Sequence, residues 1–494
     1  MMPWTGTGTT WRDVGRTLGA PRPRDTGRYS SPQWRADWNA SPFVNSSAQA
    51  MGDISPARVK RLAKEFFWVG AGQIAAVLGG LVGIRLLTDA LSPASYGELA
   101  LGMTMATLTQ QVVLGPIAGA ILRFFAPASE AKHLGAYLKG SRRLLVQGTA
   151  LLFGMALLSG LALAAFGRTQ WLALLLGAFL FSLLSGYCSA LDGIQNAARQ
   201  RAVVAWHQGI GQWLRFSLAL VLIAALGALS SAAMLGYAIA SALVLGSQIL
   251  LFRRKILARV PAENAASDKD AGYWMEQMRG YAWPFAVWGI FTWAQMASDR
   301  WSLQAKGNTS EVGLYAALYQ LGYYPMTLLS GFLVQLISPV LFSRAGDGTD
   351  PARMAQSHRL NLLIFQGSIL LTALTAVVAL LFHQQIFALF VATEYRHVSP
   401  LLSLMVLAGG LFAAGQIAVL SLLSGVNSQA LLPPKIVTAL LGMLLNFVGA
   451  FWLGISGVVY ASVAVSSIYL LWVWLLVKRE QVGLADHSTR SPTP

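Results

Sequence analysis

Charge is what this chain has least of. Asp, Glu, Lys and Arg make up 11% of its 494 residues, against about a quarter in soluble domains. The deficit falls in long uncharged runs separated by short basic segments, which excludes an ordinary soluble fold and marks a polytopic membrane protein. The short alternating segments of an outer-membrane barrel are also missing. One cysteine, Cys188, excludes an internal disulfide and a thiolate metal site, and the six histidines lack ligand spacing. His207, inside an apolar run, reads as a structural histidine. There is no P-loop, HExxH, GxSxG or Gly-rich turn after a strand, so neither an enzyme nor an ATP-driven pump is expected. No cofactor is implied, and coupling to a proton or sodium gradient stays open.

Apolar runs are plentiful. Crossing a hydrocarbon core of about 30 Å takes roughly 20 apolar residues. Spans are expected near 66–87, 97–121, 144–166, 171–191, 203–226, 231–251, 281–304, 313–340, 360–382, 399–424, 434–453 and 455–477. The last two are separated only by GIS. Residues 436–477 as one helix would reach about 63 Å, twice the core thickness, so they form a hairpin. With the N-terminus inside, cytoplasmic segments hold 30 of the 36 Lys and Arg residues. The outer loops hold Arg168, Lys306 and Arg396, which fixes both termini in the cytoplasm. The net charge of +16 is then topological bias, and no nucleic-acid partner is expected.

The chain divides into a basic N-terminal segment (1–58), a first six-helix bundle (59–252), a basic cytoplasmic linker (253–280), a second bundle (281–477) and a cytoplasmic tail (478–494). Residues 1–50, rich in Arg, Pro, Ser and Gly, read as disordered. They are either a functional tail or sequence upstream of a true start at Met51. The two bundles are related: SPASYGELALG follows the first span and NTSEVGLYAAL the seventh. A shift of 216 residues puts Gly97 on Gly313. Six spans per half insert both copies in one orientation, with a pseudo-twofold axis along the membrane normal. The fold class is therefore an all-α integral membrane protein, twelve transmembrane helices in two six-helix bundles around a central cavity, suited to alternating access as a monomer.

Ionisable side chains inside spans cost at least about 2.5 kcal/mol and face a cavity or a partner. Arg85 and Arg300 lie near the outer ends of the first and seventh spans, and Arg215 lies in the middle of the fifth. Together they would draw an anion into a cavity, since guanidinium engages two phosphate oxygens at once. Arg85 and Arg300 equally suit snorkelling to the headgroups. Asp299 is either the ion-pair mate of an arginine or a coupling residue. Pro116 and Pro325 interrupt the second and eighth spans at matching places and are candidate hinges. Tyr315, Tyr319, Tyr323 and Tyr324 suit sugar stacking or an interfacial belt.

The stretch SDRWSLQAKGNTSEVGLYAALYQL resembles the polysaccharide-transporter flippases of the multidrug/oligosaccharidyl-lipid/polysaccharide exporter superfamily. The elements that carry the likeness are Asp299-Arg300, then Val312, Gly313 and Tyr315, with Tyr96 and Gly97 in the first half. The resemblance covers roughly residues 60 to 480. It implies a flippase that moves a polyisoprenyl-pyrophosphate-linked oligosaccharide across the bacterial inner membrane, for O-antigen, capsule or exopolysaccharide. A polysaccharide polymerase and chain-length proteins would be its partners. The alternatives are a multidrug exporter, disfavoured by the scarcity of carboxylates within spans, and a membrane polymerase or glycosyltransferase, disfavoured by short outer loops.

Overall fold

A computed structural model describes residues 56–198, 200–257, 268–345, 351–424 and 431–490. The expectation for residues 1–50 lies outside them. Every regular element among the described residues is helical. The first half contains α1 (Pro56–Ala90), α2 (Pro93–Thr109), α3 (Gly115–Glu130), α4 (Leu134–Ala165), α5 (Leu172–Ala197), α6 (Arg201–Leu226) and α7 (Ser230–Lys255). A π-helical turn, Gln110–Leu114, joins α2 to α3 in one rod. The second half contains α8 (Asp268–Ala305), α9 (Thr309–Ala345), α10 (Pro351–Phe390), α11 (Leu402–Ser424), α12 (Leu432–Leu453) and α13 (Ile455–Arg490).

With α2–α3 counted as one rod, the described residues form twelve, the expected number. Ten are long and apolar enough to cross a membrane. The other two, α1 and α8, are 35 and 38 residues long. Tryptophan and tyrosine dilute the hydropathy of α8, which also carries Asp299 and Arg300. The chain is a multi-pass membrane protein. Its α12–α13 hairpin turns at Gly454, whose φ of +62° falls in the left-handed region that glycine enters freely.

Two boundaries differ from expectation. Helix α8 begins at Asp268 rather than 281, because Ala271, Trp274, Met278 and Ala282 form a buried stripe at helical spacing. That stripe packs on α3 and α4, where Trp274 meets Phe124 and Tyr137 edge to face. At the other end of the chain, α13 continues to Arg490, through most of the expected tail.

The 216-residue repeat is visible in the caps. Ser92 accepts a hydrogen bond from the Ser95 amide (3.3 Å), with Pro93 in the first turn of α2. Its repeat equivalent, Asn308, accepts from the Glu311 amide (3.2 Å) and donates to the Glu311 carboxylate (3.0 Å). Five residues after each cap, Gly97 and Gly313 meet. A Cβ on Gly97 would strike the Thr309 carbonyl and the Gly313 amide; one on Gly313 would strike the Pro93 carbonyl and the Gly97 amide. This reciprocity is what a twofold axis between the glycines requires.

The crossing closes one end of the protein. The opposite, basic end is where α7 finishes in Arg253, Arg254 and Lys255. Among the described residues, the extended contacts between halves are α9 on α2, and α8 on α2, the π turn, α3 and α4. Within the second half, α11 is the central helix, its span 72% buried against 11% for α10. It is apolar all round, as a helix surrounded by others must be.

Candidate functional site

Residues after α10 form a strap over the closed end. Tyr395 is fully buried, packs edge to face on Tyr96 (5.9 Å) and donates to the Leu91 carbonyl (3.0 Å). The Ala392 amide donates to Thr88 Oγ1 (3.1 Å), and Arg85 donates to the Val391 carbonyl. Arg85 is also paired with Asp89 at 3.1 Å. Its guanidinium is thus engaged in tying the first half to the strap.

Below this seal, on α8 and α9, the Asp299-Arg300 pair does touch. Arg300 Nη1 is 3.2 Å from Asp299 Oδ1, whose carboxylate also accepts from the Arg300 amide (2.7 Å) and the Tyr315 hydroxyl (2.8 Å). The guanidinium lies over Tyr319 (4.5 Å to the ring centre) and beside Tyr315 (5.8 Å). Tyrosines at intervals of four place three rings in one stripe on α9. Tyr319 and Tyr323 stack at 4.9 Å, and the row continues through Phe412 of α11 to Tyr469 of α13. Helix α8 is pinned on both sides. Trp301 and Trp293 donate to Thr104 of α2 (2.9 and 2.7 Å), and Asn446 of α12 donates to Ser298 (2.9 Å).

Arg215 has a different environment. On α6, with the side chain half-buried, it lies over the Phe181 ring (5.1 Å) and makes one long hydrogen bond to Gln212 Oε1 (3.5 Å). No carboxylate pairs with it among the described residues. It is within electrostatic reach of Tyr237, Cys188 and, across the halves, the exposed Tyr324. The structure thus brings Arg215 to the junction of the halves with its charge uncompensated, whereas Arg85 and Arg300 each have an acidic partner.

The two proline sites are unlike. Pro116 follows the π turn, in which the Gly115 amide reaches back five residues to the Gln110 carbonyl. The freed Gln110 side chain donates to the Ser182 carbonyl (3.0 Å) and Ser185 Oγ (2.7 Å) on α5. The π turn, Pro116 and Gly119 line a cavity of about 230 Å³ with Tyr281, Phe285 and Trp288 of α8. The matching interruption expected at Pro325 is not observed, and α9 runs unbroken from Thr309 to Ala345. Proline needs only a free carbonyl one turn back, which a long helix tolerates where side chains and neighbours take it up.

Two polar residues were read in the sequence as cytoplasmic and not as site residues, because each falls at the edge of a span. Lys435 lies in the first turn of α12, 5.5 Å from the Trp288 ring, half-buried. Asp192 lies inside α5, where Gln248 of α7 donates to Oδ1 (2.7 Å) and Gln208 of α6 to Oδ2 (3.4 Å). The signal was present in both cases: a charge within one helical turn of a continuous apolar run.

The fold is shared with known membrane transporters. Superposition matches an inward-facing multidrug resistance transporter of the MATE family in the MOP superfamily, with TM-score 0.64 and 14% identity over 83% of this chain and 96% of that one. The lipid II flippase MurJ, in its inward closed conformation, matches with TM-score 0.61 and 14% identity over 87% and 94%. The bent form of the Vibrio cholerae MATE transporter VcmN matches with TM-score 0.55 and 17% identity over 86% and 98%. No curated protein matches the sequence. The polysaccharide biosynthesis protein family model matches residues 62–344. The chain shares its fold with these transporters, and since more than half of it falls in the family match, it belongs to the polysaccharide biosynthesis protein family.

Proposed function

We propose that the protein is a flippase that moves polyisoprenyl-pyrophosphate-linked oligosaccharides across a bacterial inner membrane by alternating access. The observation that carries this reading is the uncompensated Arg215 at the junction of the halves. A half-buried cation within a span and without a carboxylate is costly unless something anionic comes to it, and the pyrophosphate of a lipid-linked glycan supplies that charge. The distribution of Lys and Arg favours cytoplasmic termini and a periplasmic position for the Gly97–Gly313 crossing, so release of substrate on the outer side requires that crossing to part. The exposed Tyr324 offers a ring face on which a sugar can stack, while the polyisoprenyl tail stays in the bilayer. Closure at the basic end and separation at the Gly97–Gly313 crossing would complete the cycle.

The test is lipid extraction from cells that lack the protein, with glycan-charged polyisoprenyl pyrophosphate quantified by leaflet. Complete repeat units are expected on the cytoplasmic face. The wild-type chain should clear them, and Arg215→Ala should lower the clearance rate at least about tenfold, the loss of one charge-assisted contact. Complete but unpolymerised units on the outer face would favour a polymerase. Unchanged glycolipid pools would remove the reading.

A further inference from the structure

The cavity beside the π turn takes no part in holding an anion at Arg215, and its walls have a chemistry of their own. One wall is α8. Tyr281, Phe285 and Trp288 follow each other at intervals of four and three, so their rings line one face over about 10 Å of helix. The facing wall has almost no bulk, being made of Gly115, Pro116 and Gly119. Large residues oppose small ones across an unfilled space. At its upper edge the two walls touch: a Cβ on Gly289 would strike the Gln111 carbonyl. A Cβ on Gly119, by contrast, would meet nothing. Gly119 and the rings of Tyr281 and Phe285 are exposed, which gives the cavity a mouth.

The polar groups come from the π turn, a distortion that most often marks a functional site. Gln110 gives its side-chain nitrogen to Ser182 and Ser185 of α5 and keeps its oxygen as an acceptor. Gln111 is half-buried in the lining, and no hydrogen bond ties its side chain down among the described residues. Ring faces beside an uncommitted amide suit a sugar. A pyranose offers C–H groups from its face to the rings and hydroxyls from its edge to the amide, which both donates and accepts. A hydrocarbon chain would leave that amide unpaired. A cationic drug would find no carboxylate in the lining, and Lys435 already lies 5.5 Å from the Trp288 ring.

We propose that this cavity is a glycan subsite, in which a sugar ring lies against Phe285 and Trp288 and bonds to Gln111. The inference rests on the flippase reading for the identity of its ligand. It adds the device by which the protein tells a glycan-charged lipid from a bare one, a distinction that a pyrophosphate site cannot make.

The test is binding to the purified full-length chain of two probes: glycan-charged polyisoprenyl pyrophosphate extracted from cells, and polyisoprenyl pyrophosphate without glycan. Wild type should bind the charged lipid about tenfold more tightly. Gly119→Leu, which fills the cavity, and Gln111→Leu, which removes the amide and keeps the bulk, should each lower that preference severalfold and leave the bare lipid bound as before. Arg215→Gln should weaken both probes alike and keep the preference. Equal binding of the two probes by wild type, or a preference that survives Gly119→Leu and Gln111→Leu, would overturn the subsite while the headgroup site stands. If wild type binds neither probe, the flippase reading fails, and labelling decides the subsite alone. Maleimide attack on Gln111→Cys, with Cys188→Ser, should be slowed by the oligosaccharide released from the lipid by mild acid; an unchanged rate would remove the subsite as well.

Discussion

Arg300 and Arg215 are both arginines inside membrane helices, one in each half, and their surroundings differ in every respect that sets the energy of a charge. Arg300 has a carboxylate, two tyrosine faces and a helix pinned on both sides. Arg215 has a phenylalanine ring and one stretched bond to an amide. The first is neutralised by its own fold and holds α8 against α9. The second is a charge with an unfilled requirement. A charged residue within a span is thus a functional signal only after its partners are counted.

The comparison breaks most visibly when a partner is removed. Asp299→Asn leaves Arg300 buried and unpaired and frees Tyr315 from a charged acceptor, so stability should fall by about 3 kcal/mol or more. Thermal unfolding in detergent reads this, and the double variant Asp299→Asn, Arg300→Gln should recover most of the loss. If the single variant melts like wild type, the pair is not what holds α8. An intermediate effect is expected for Gly313→Ala, whose Cβ would strike the Pro93 carbonyl. Overpacking there should cost this closed arrangement about 1–3 kcal/mol. The distance between spin labels at Leu229 and Lys306, exposed residues of the two halves, should then shift toward longer values. An unchanged distribution would mean that the crossing does not hold the halves together. The smallest change sharpens the contrast: Arg215→Ala should alter stability by less than about 1 kcal/mol, and toward the stable side, since a desolvated cation with no mate is being removed. A large destabilisation would make Arg215 a structural residue.

Much of the architecture was legible. The fifth, sixth and eleventh spans, expected at 203–226, 231–251 and 434–453, are helices Arg201–Leu226, Ser230–Lys255 and Leu432–Leu453. Hydropathy reads spans well because burial in lipid is a property of a local run. The repeat was legible too, as matching caps and glycines. What escaped depends on which neighbour a residue meets. The Gln110–Leu114 stretch has nothing in QQVVL to separate a π turn from an α-helix; Ser182 and Ser185, some 70 residues on, receive the Gln110 side chain. The apparent equivalence of Pro116 and Pro325 is one of sequence alone. Asp192 looked like a loop residue because the apolar run ends beside it, yet α5 continues to Ala197. The Asp299-Arg300 pair was read correctly as charged and near a helix end, but Tyr315 as its third member required the fold of α9 back along α8.

A residue that meets its own repeat equivalent is constrained differently from every other. At the Gly97–Gly313 crossing both sides of the contact are the same position of the repeat, so a bulky side chain cannot be offset by a small one opposite unless the halves stop being alike. Away from that point each contact joins two different positions, and the halves are free to diverge, as Arg85 has from Trp301. The glycine crossing is thus the fixed point of the duplication, and whatever distinguishes the two halves has to be written elsewhere.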